Sequence, residues 1–150
     1  MDRSTVSGVY EQHKNGIYRF ALSILKNSQQ AEDVLHDTFV KLLSGGEPRE
    51  MQAWLYRVAR NLCYDRLRRA KREQPDQRIP VQTGNPYAYI ELIAPLPPKE
   101  QELVTLKIVG GLSHKEIGAV LGISEKAAQK RYERAIATLR EMEDSYGTET

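Results

Sequence analysis

The chain of 150 residues has a single cysteine, Cys63, so it can form no internal disulfide, and its apolar neighbours indicate a packed thiol. No apolar run approaches the roughly 20 residues that a membrane-spanning helix requires. The polar opening MDRSTVSGVYEQHK lacks the apolar segment of a signal peptide. We therefore expect a cytoplasmic protein without covalent cross-links.

Signatures of metal binding and catalysis are also missing. The three histidines, His13, His36 and His114, share no ligand spacing with one another or with the cysteine. There are no paired catalytic carboxylates, no nucleophile near a base and no phosphate-binding glycine loop. We therefore expect no metal, no cofactor and no small-molecule substrate, and an enzyme is the least favoured class of protein.

Alternating β-branched residues, which would indicate strands, are not evident, whereas helical periodicity extends over most of the chain. Between residues 74 and 89, three prolines and a glycine interrupt this periodicity. The sequence therefore predicts an all-α protein with two small helical domains, at residues 1–73 and 90–146. A flexible linker at 74–89 would join them.

The first domain is predicted to be a bundle of three helices. The first helix carries apolar residues from Val9 to Leu25 and the second from Ala31 to Leu42, with Gly45-Gly46 expected to end it at positive φ. The third helix is expected from about Gln52 to Glu73. The side chains predicted to be buried on it are Trp54, Leu55, Val58 and Leu62.

This third helix has a cationic face, although the net charge of the chain is only +2. At about 100° per residue one arc collects the following side chains: Arg57, Arg60, Asn61, Tyr64, Arg68 and Lys71. Arginines can neutralise phosphates, and an amide and an aromatic ring can hold an unpaired base, as in single-strand binding. A solvated basic face of a helix bundle is the alternative interpretation.

The second helix presents a partly acidic strip made of Asp33, His36 and Asp37, opposite the apolar Val34 and Leu35. Such a strip suits a basic protein partner better than DNA. Ordinary solvated helix surface is the alternative.

Residues 113–140 have the pattern of a helix-turn-helix. Ser113 and Glu116 have the spacing of a capping box, Gly122 suits a left-handed turn, and Ser124 can cap the second helix. The outward face of that helix carries Lys126, Gln129, Lys130, Glu133 and Arg134, and its inner face carries Ala128, Tyr132, Ala135 and Leu139. A preceding helix that starts at Pro97-Pro98 is expected to pack beneath through Leu103, Leu106, Ile108 and Val109. An ordinary helical hairpin with a solvated charged face is the alternative.

Three segments together resemble the sigma-70 family of bacterial RNA polymerase initiation factors, in particular its small two-domain extracytoplasmic-function (ECF) group. AEDVLHDTFVKLL at 31–43 looks like the polymerase-binding helix of region 2, and WLYRVARNLCYDRLRR at 54–69 looks like its promoter-melting helix. LPPKEQELVTLKIVGGLSHKEIGAVLGIS at 96–124 looks like region 4. The resemblance covers nearly everything outside the linker and the C-terminal tail.

The resemblance implies a promoter-specificity subunit that acts with core polymerase. Asp33, His36 and Asp37 would bind the β′ clamp helices, and the cationic face of the third helix would open the minus-10 element. The second domain would lie near the β flap and read minus-35 DNA through Lys126, Gln129, Lys130, Arg131, Glu133 and Arg134. An anti-sigma factor, which is common in the group, would be a further partner.

Two other classes of protein stay open at this point. A stand-alone DNA-binding regulator could dimerise through its first three helices, which predicts an exposed apolar seam in residues 1–73. A helical interaction protein could instead sequester a partner, although the basic face between Arg57 and Lys71 argues against that function.

Overall fold

The computed structural model describes residues 2–73 and 85–148, with side chains described at 2–70 and 88–143. Every regular element in these ranges is an α-helix, so the predicted all-α class is confirmed. The chain divides into two compact units, Met1–Val81 and Gln82–Thr150. Within the described residues, none of the helices is long and apolar enough to span a bilayer.

The first unit contains α1 (Arg3–Leu25), α2 (Ser28–Ser44) and α3 (Met51–Glu73), and each of these helices contacts the other two. Its core is centred on Phe20 and Tyr56, whose rings meet edge to face with centroids 5.5 Å apart. Burial raises the pKa of the Tyr56 phenol. The other large, fully buried side chains of this unit are Ile17, Leu22, Val34, Leu42 and Leu55.

The two turns of this unit stop their helices in different ways. Lys26 ends α1 in the left-handed conformation at φ 56°, and Asn27 caps α2 by accepting a hydrogen bond from the Gln30 N–H at 3.0 Å. The positive φ predicted at Gly45 is wrong, since its φ is −109°. Its N–H instead makes an ordinary i→i−4 bond to the Lys41 carbonyl at 3.2 Å, which needs no left-handed residue.

The buried side of α3 is rotated from the predicted one, because this helix packs against both α1 and α2. The buried residues are Ala53, Leu55, Tyr56, Ala59 and Cys63. Those predicted to be buried but found half-buried are Trp54, Val58 and Leu62. A tyrosine ring thus occupies the centre of the packing surface, where hydrophobicity alone had favoured the tryptophan.

The second unit contains α4 (Asn85–Ile93), α5 (Pro98–Ile108), α6 (His114–Leu121) and α7 (Glu125–Thr148). The first of these shows that the predicted linker at 74–89 extends too far, since residues 85–89 are helical. Proline is tolerated in the first turn of a helix, so Pro86 does not interrupt this one. The remaining linker residues, 74–84, lie outside the described part of the chain.

Tyr89 shows why α4 belongs to this unit. It packs against the cluster of Ile93, Leu96, Val104 and Ala135, and its hydroxyl lies 3.0 Å from Thr105 Oγ1. Below the helix-turn-helix, Leu103 and Leu106 are buried as predicted. Ile108 is 54% exposed, contrary to the prediction, because two residues of helix turn it about 200° away from Leu106.

Gly118 sets the close approach between α6 and the turn that follows it. A Cβ at this position would lie 2.5 Å from the carbonyl oxygen of Ile123, which is backbone and cannot rotate away. We expect Gly118→Ala to destabilise the second unit by about 1–3 kcal/mol, the usual cost of overpacking. Hydrogen exchange of the α6 and α7 amides measures this, and faster exchange is expected.

Gly8 supplies the matched control for that substitution. It also lies within a helix, but a Cβ there would meet nothing within 4 Å. Gly8→Ala should therefore leave exchange in α6 and α7 unchanged and stabilise α1 by up to about 1 kcal/mol. Equal exchange in the wild-type protein and Gly118→Ala would show that the turn can relax around a methyl group.

Candidate nucleic-acid interface and partner surface

The helix-turn-helix has the local geometry that its sequence predicts. The Ser113 side chain accepts from the Glu116 N–H at 3.1 Å, and Glu116 accepts from the Ser113 N–H at 3.0 Å, which completes the capping box. Gly122 is left-handed at φ 73°. Ser124 accepts from the Ala127 N–H at 3.0 Å and so caps α7. These contacts fix the start of α7, the helix with the predicted reading residues.

The outward face of α7 is polar and open to solvent. Its exposed members are Lys126, Gln129, Lys130, Glu133 and Arg134, while Arg131 is half-buried. On the inner side Ala128 and Ala135 are buried. The Gln129 amide donates to the Glu133 carboxylate at 3.3 Å, so the single acid on this face already has a neutral partner.

The cationic face of α3 includes an aromatic contact. The Arg60 guanidinium lies 4.9 Å from the centroid of the Tyr64 ring, within cation–π range. Arg57, Asn61 and Arg68 are exposed, whereas Arg60 and Tyr64 are half-buried. The side chain of Lys71, the last member of the predicted face, lies outside the described residues.

A polar hollow of about 340 Å³ opens on this face and is lined by Arg60, Asn61, Tyr64, Asp65 and Arg68. Asp65 forms an ion pair with Arg68 one helical turn away. Asp65 was not among the residues predicted for this face. Its position in the hollow places a hydrogen-bond acceptor among the cations, and its pairing reduces the positive charge that Arg68 contributes.

The three side chains of the acidic α2 strip do not all face the same way. Asp33 and Asp37 face α3, where Arg66 Nη1 lies 3.6 Å from Asp33 Oδ2 and Arg66 Nη2 lies 3.5 Å from Asp37 Oδ2. His36 faces a groove of about 670 Å³ between α1 and α2. Arg66 was not among the predicted site residues, because an ion pair between two helices does not follow from the spacing of residues along either one.

The groove beside His36 has an apolar lining that includes Tyr10, Phe39, Val40 and Leu43. Val40 and Leu43 are 44% and 47% exposed, so the first unit does carry a small apolar seam. Tyr10 and Phe39, which both line the groove, meet edge to face with centroids 5.0 Å apart. Among the described residues, no group of histidine, cysteine or acidic side chains is placed to hold a metal ion.

Comparison with known proteins assigns these surfaces to a family. A family model of Sigma-70 region 2 matches residues 9–73, and one of Sigma-70, region 4 matches residues 87–139. The ECF RNA polymerase sigma factor SigM of Bacillus subtilis is 30% identical over 137 residues, which cover 81% of this chain and 84% of SigM. The chain belongs to the ECF group of sigma-70 factors. The acidic α2 strip and the cationic α3 face lie in region 2, and the helix-turn-helix lies in region 4.

Other relatives agree with this family. The ECF RNA polymerase sigma factor SigE of Mycolicibacterium smegmatis is 28% identical over 93% of this chain, but the match spans only 62% of SigE. The structure of CnrH, solved in complex with the cytosolic domain of CnrY, is 27% identical with a TM-score of 0.73 and covers 96% of this chain and 90% of its own. The sigma factor RpoE of Bartonella quintana, solved with the anti-sigma factor NepR, is 23% identical with a TM-score of 0.68 and shares the fold, covering 91% of this chain and 97% of its own.

Proposed function

We propose that this sigma factor directs core RNA polymerase to promoters and opens them, with no catalytic activity of its own. The proposal rests on one observation. The same three-helix unit carries an acidic strip on α2 and, on α3, a cationic face that contains an aromatic ring. One surface suits a basic protein and the other suits nucleic acid. The site of action is the cytoplasm, where polymerase and DNA meet.

The α2 strip binds the polymerase in this proposal. Asp33 and Asp37 are 54% and 45% exposed, so each carboxylate keeps surface for a cation of a partner. Together with His36 they contact the β′ clamp helices, and the second unit lies near the β flap. In this proposal the domain that binds the clamp helices spans residues 1–73, and the domain near the β flap ends near residue 146.

The α3 face binds the minus-10 element. Arg57, Arg60 and Arg68 hold phosphates, while Asn61 and Tyr64 capture an unpaired base. Lys71 extends the same arc along the sequence. Because captured single strands are no longer available for pairing, binding to this face shifts the promoter toward its open form.

The exposed face of α7 reads the minus-35 element in the major groove. Lys126, Lys130, Arg131 and Arg134 supply phosphate contacts or bidentate contacts to guanine, and the amide of Gln129 suits adenine. The remaining residue of this set, Glu133, is its only negatively charged hydrogen-bond acceptor. This mixture of one acid, one amide and four bases suits base reading better than phosphate binding alone.

Glu133→Ala should relax discrimination at one base pair of the minus-35 element. A carboxylate in the major groove can accept a hydrogen bond from a cytosine amino group, and its loss costs about 1–3 kcal/mol on the preferred base. Binding to other sequences should stay level or rise slightly. The measurement is transcription by reconstituted holoenzyme from promoters randomised over the minus-35 region.

Lys130→Ala is the control for the Glu133 substitution, because it alters the same face. A lysine that contacts phosphate should weaken all sequences alike and reduce the salt slope by about one unit. An unchanged base preference in Glu133→Ala would remove Glu133 from the reading residues. Glu133 would then be an exposed helix residue that only accepts a hydrogen bond from Gln129.

Reconstitution with core polymerase tests the proposed function directly. We expect transcription from a promoter library only when core and this chain are both present, with a recurring pair of minus-10 and minus-35 elements among the active sequences. The exposed Val40 and Leu43 are the observation that favours the alternative function, a dimeric regulator that binds duplex DNA without polymerase. A sharp gel shift on duplex without polymerase would favour that regulator.

An anti-sigma factor completes the proposed partners. CnrH, the structural relative at 27% identity, was solved with the cytosolic domain of CnrY bound, which supports a second protein partner for this chain. A pull-down of tagged protein from a bacterial lysate separates the two kinds of partner. Polymerase subunits are expected in one fraction and a small inhibitory protein in the other.

A further inference from the structure

Arg66 joins two helices that carry different parts of the proposed function. Its two terminal nitrogens lie 3.6 Å from Asp33 Oδ2 and 3.5 Å from Asp37 Oδ2. The carboxylates belong to α2 and the guanidinium to α3, so a single side chain spans the helix pair. A guanidinium holds its donors in a rigid planar fork, and here each prong serves a different carboxylate.

The two aspartates need a cation between them. They lie four residues apart on one face of α2, where like charges are neighbours and repel each other. Arg66 lies near both carboxylates, so it offsets this repulsion and is placed to orient the two side chains.

Exposure shows which side of this cluster is open. The Arg66 side chain is 29% exposed, against 54% for Asp33 and 45% for Asp37. The cation is thus the more enclosed group, and the anions lie nearer to solvent. A partner that approaches α2 would meet the carboxylates before it met the guanidinium.

We propose that Arg66 is a positioning residue that holds Asp33 and Asp37 in the arrangement that core polymerase binds. The inference rests on the proposed function of the α2 strip. Arg66 itself has no need to touch the polymerase. It also ties this strip to the helix whose other side carries the promoter-melting face, so the two surfaces keep a fixed relation within the first unit.

Positioning and net charge predict opposite results for Arg66→Gln. The substitution makes the α2 strip more negative, so a basic partner would bind more tightly if charge alone decided affinity. If the fork positions the carboxylates, affinity for core polymerase should instead fall about three- to tenfold, the range for one or two partly exposed ion pairs. Arg66→Lys keeps the charge but lacks the fork, and we expect it to lose affinity as well.

Two control variants isolate the effect. Arg69→Gln removes the same charge from an exposed position on the same helix and should bind core polymerase like the wild-type protein. In an Asp33→Asn background, Arg66→Gln should lower affinity by a smaller factor than it does in the wild-type protein, because only one carboxylate is left to position. This double-mutant cycle separates positioning from a direct contact of Arg66 with the polymerase.

The experiment is a titration of labelled full-length variants with core polymerase, with circular dichroism to establish that each variant is folded. Equal or tighter binding by folded Arg66→Gln, or wild-type binding by Arg66→Lys, would overturn the inference. If Arg66→Gln loses helical content, the affinity of Arg66→Lys decides whether Arg66 positions the carboxylates.

Asp37→Arg, tested in parallel, distinguishes the two proposals. If it abolishes binding while the Arg66 variants do not, the α2 strip still binds the polymerase and only the positioning function of Arg66 is overturned. If Asp37→Arg has no effect, both fall.

Discussion

Asp37→Arg should abolish the association of this sigma factor with core RNA polymerase. Asp37 is 45% exposed and lies 3.5 Å from Arg66, so an arginine there puts two cations side by side on a surface proposed to bind a basic partner. Repulsion would act on both the partner and Arg66. Helical content should stay unchanged, since the loss of a partly exposed ion pair usually costs no more than about 1 kcal/mol.

Size-exclusion chromatography of labelled variants with core polymerase measures this effect. Glu47→Arg provides the control, because it makes the same charge reversal at an exposed position outside α2. We expect Glu47→Arg to bind core polymerase in the absence of DNA as the wild-type protein does. Normal binding by folded Asp37→Arg would remove the α2 strip from the polymerase interface.

Replacing Arg60 and Arg68 by alanine should reduce open-complex formation more than initial binding to duplex. Arg60 lies over the Tyr64 ring, and Arg68 lines the same polar hollow. Loss of two phosphate contacts should lower the slope of log affinity against log salt by about one to two units. The lower value is expected if the ion pair of Arg68 with Asp65 persists in the complex.

Permanganate reactivity of unpaired thymines reports the melting step. A variant with Arg3→Ala and Arg19→Ala serves as the control, since it removes two exposed cations of α1 from the same unit. We expect that control to melt promoters normally. If Arg60→Ala with Arg68→Ala also melts them normally, the α3 face is only a solvated basic surface.

The helix-turn-helix shows how far local sequence alone can predict this protein. The capping box of Ser113 and Glu116, the left-handed Gly122 and the Ser124 cap depend on contacts between residues at most four apart. Such contacts follow from the order of residue types along the chain. The same reasoning failed at Gly45, where an ordinary helical hydrogen bond ends α2 and no special backbone conformation is needed.

Packing between helices was harder to predict. Periodicity identified α3 as a helix with one apolar side, but the direction of that side depends on where α1 and α2 lie against it. Tyr56 therefore became a core residue and Trp54 did not, whereas Cys63 is buried as its apolar neighbours had indicated. The helix at 85–89 was missed for a related reason, because Tyr89 is held by Thr105, which is 16 residues away in the sequence.

The sequence by itself determined the all-α class, the caps of the helix-turn-helix, the two segments that match sigma regions 2 and 4, and the charged faces of α2, α3 and α7. These features depend on residue types at short, fixed spacings. Tertiary structure alone decided that Arg66, among the basic residues of α3, pairs with Asp33 and Asp37, and that His36 faces a different groove. The physical reason is that an ion pair between helices depends on their rotation and separation, which are set by the whole core of the first unit.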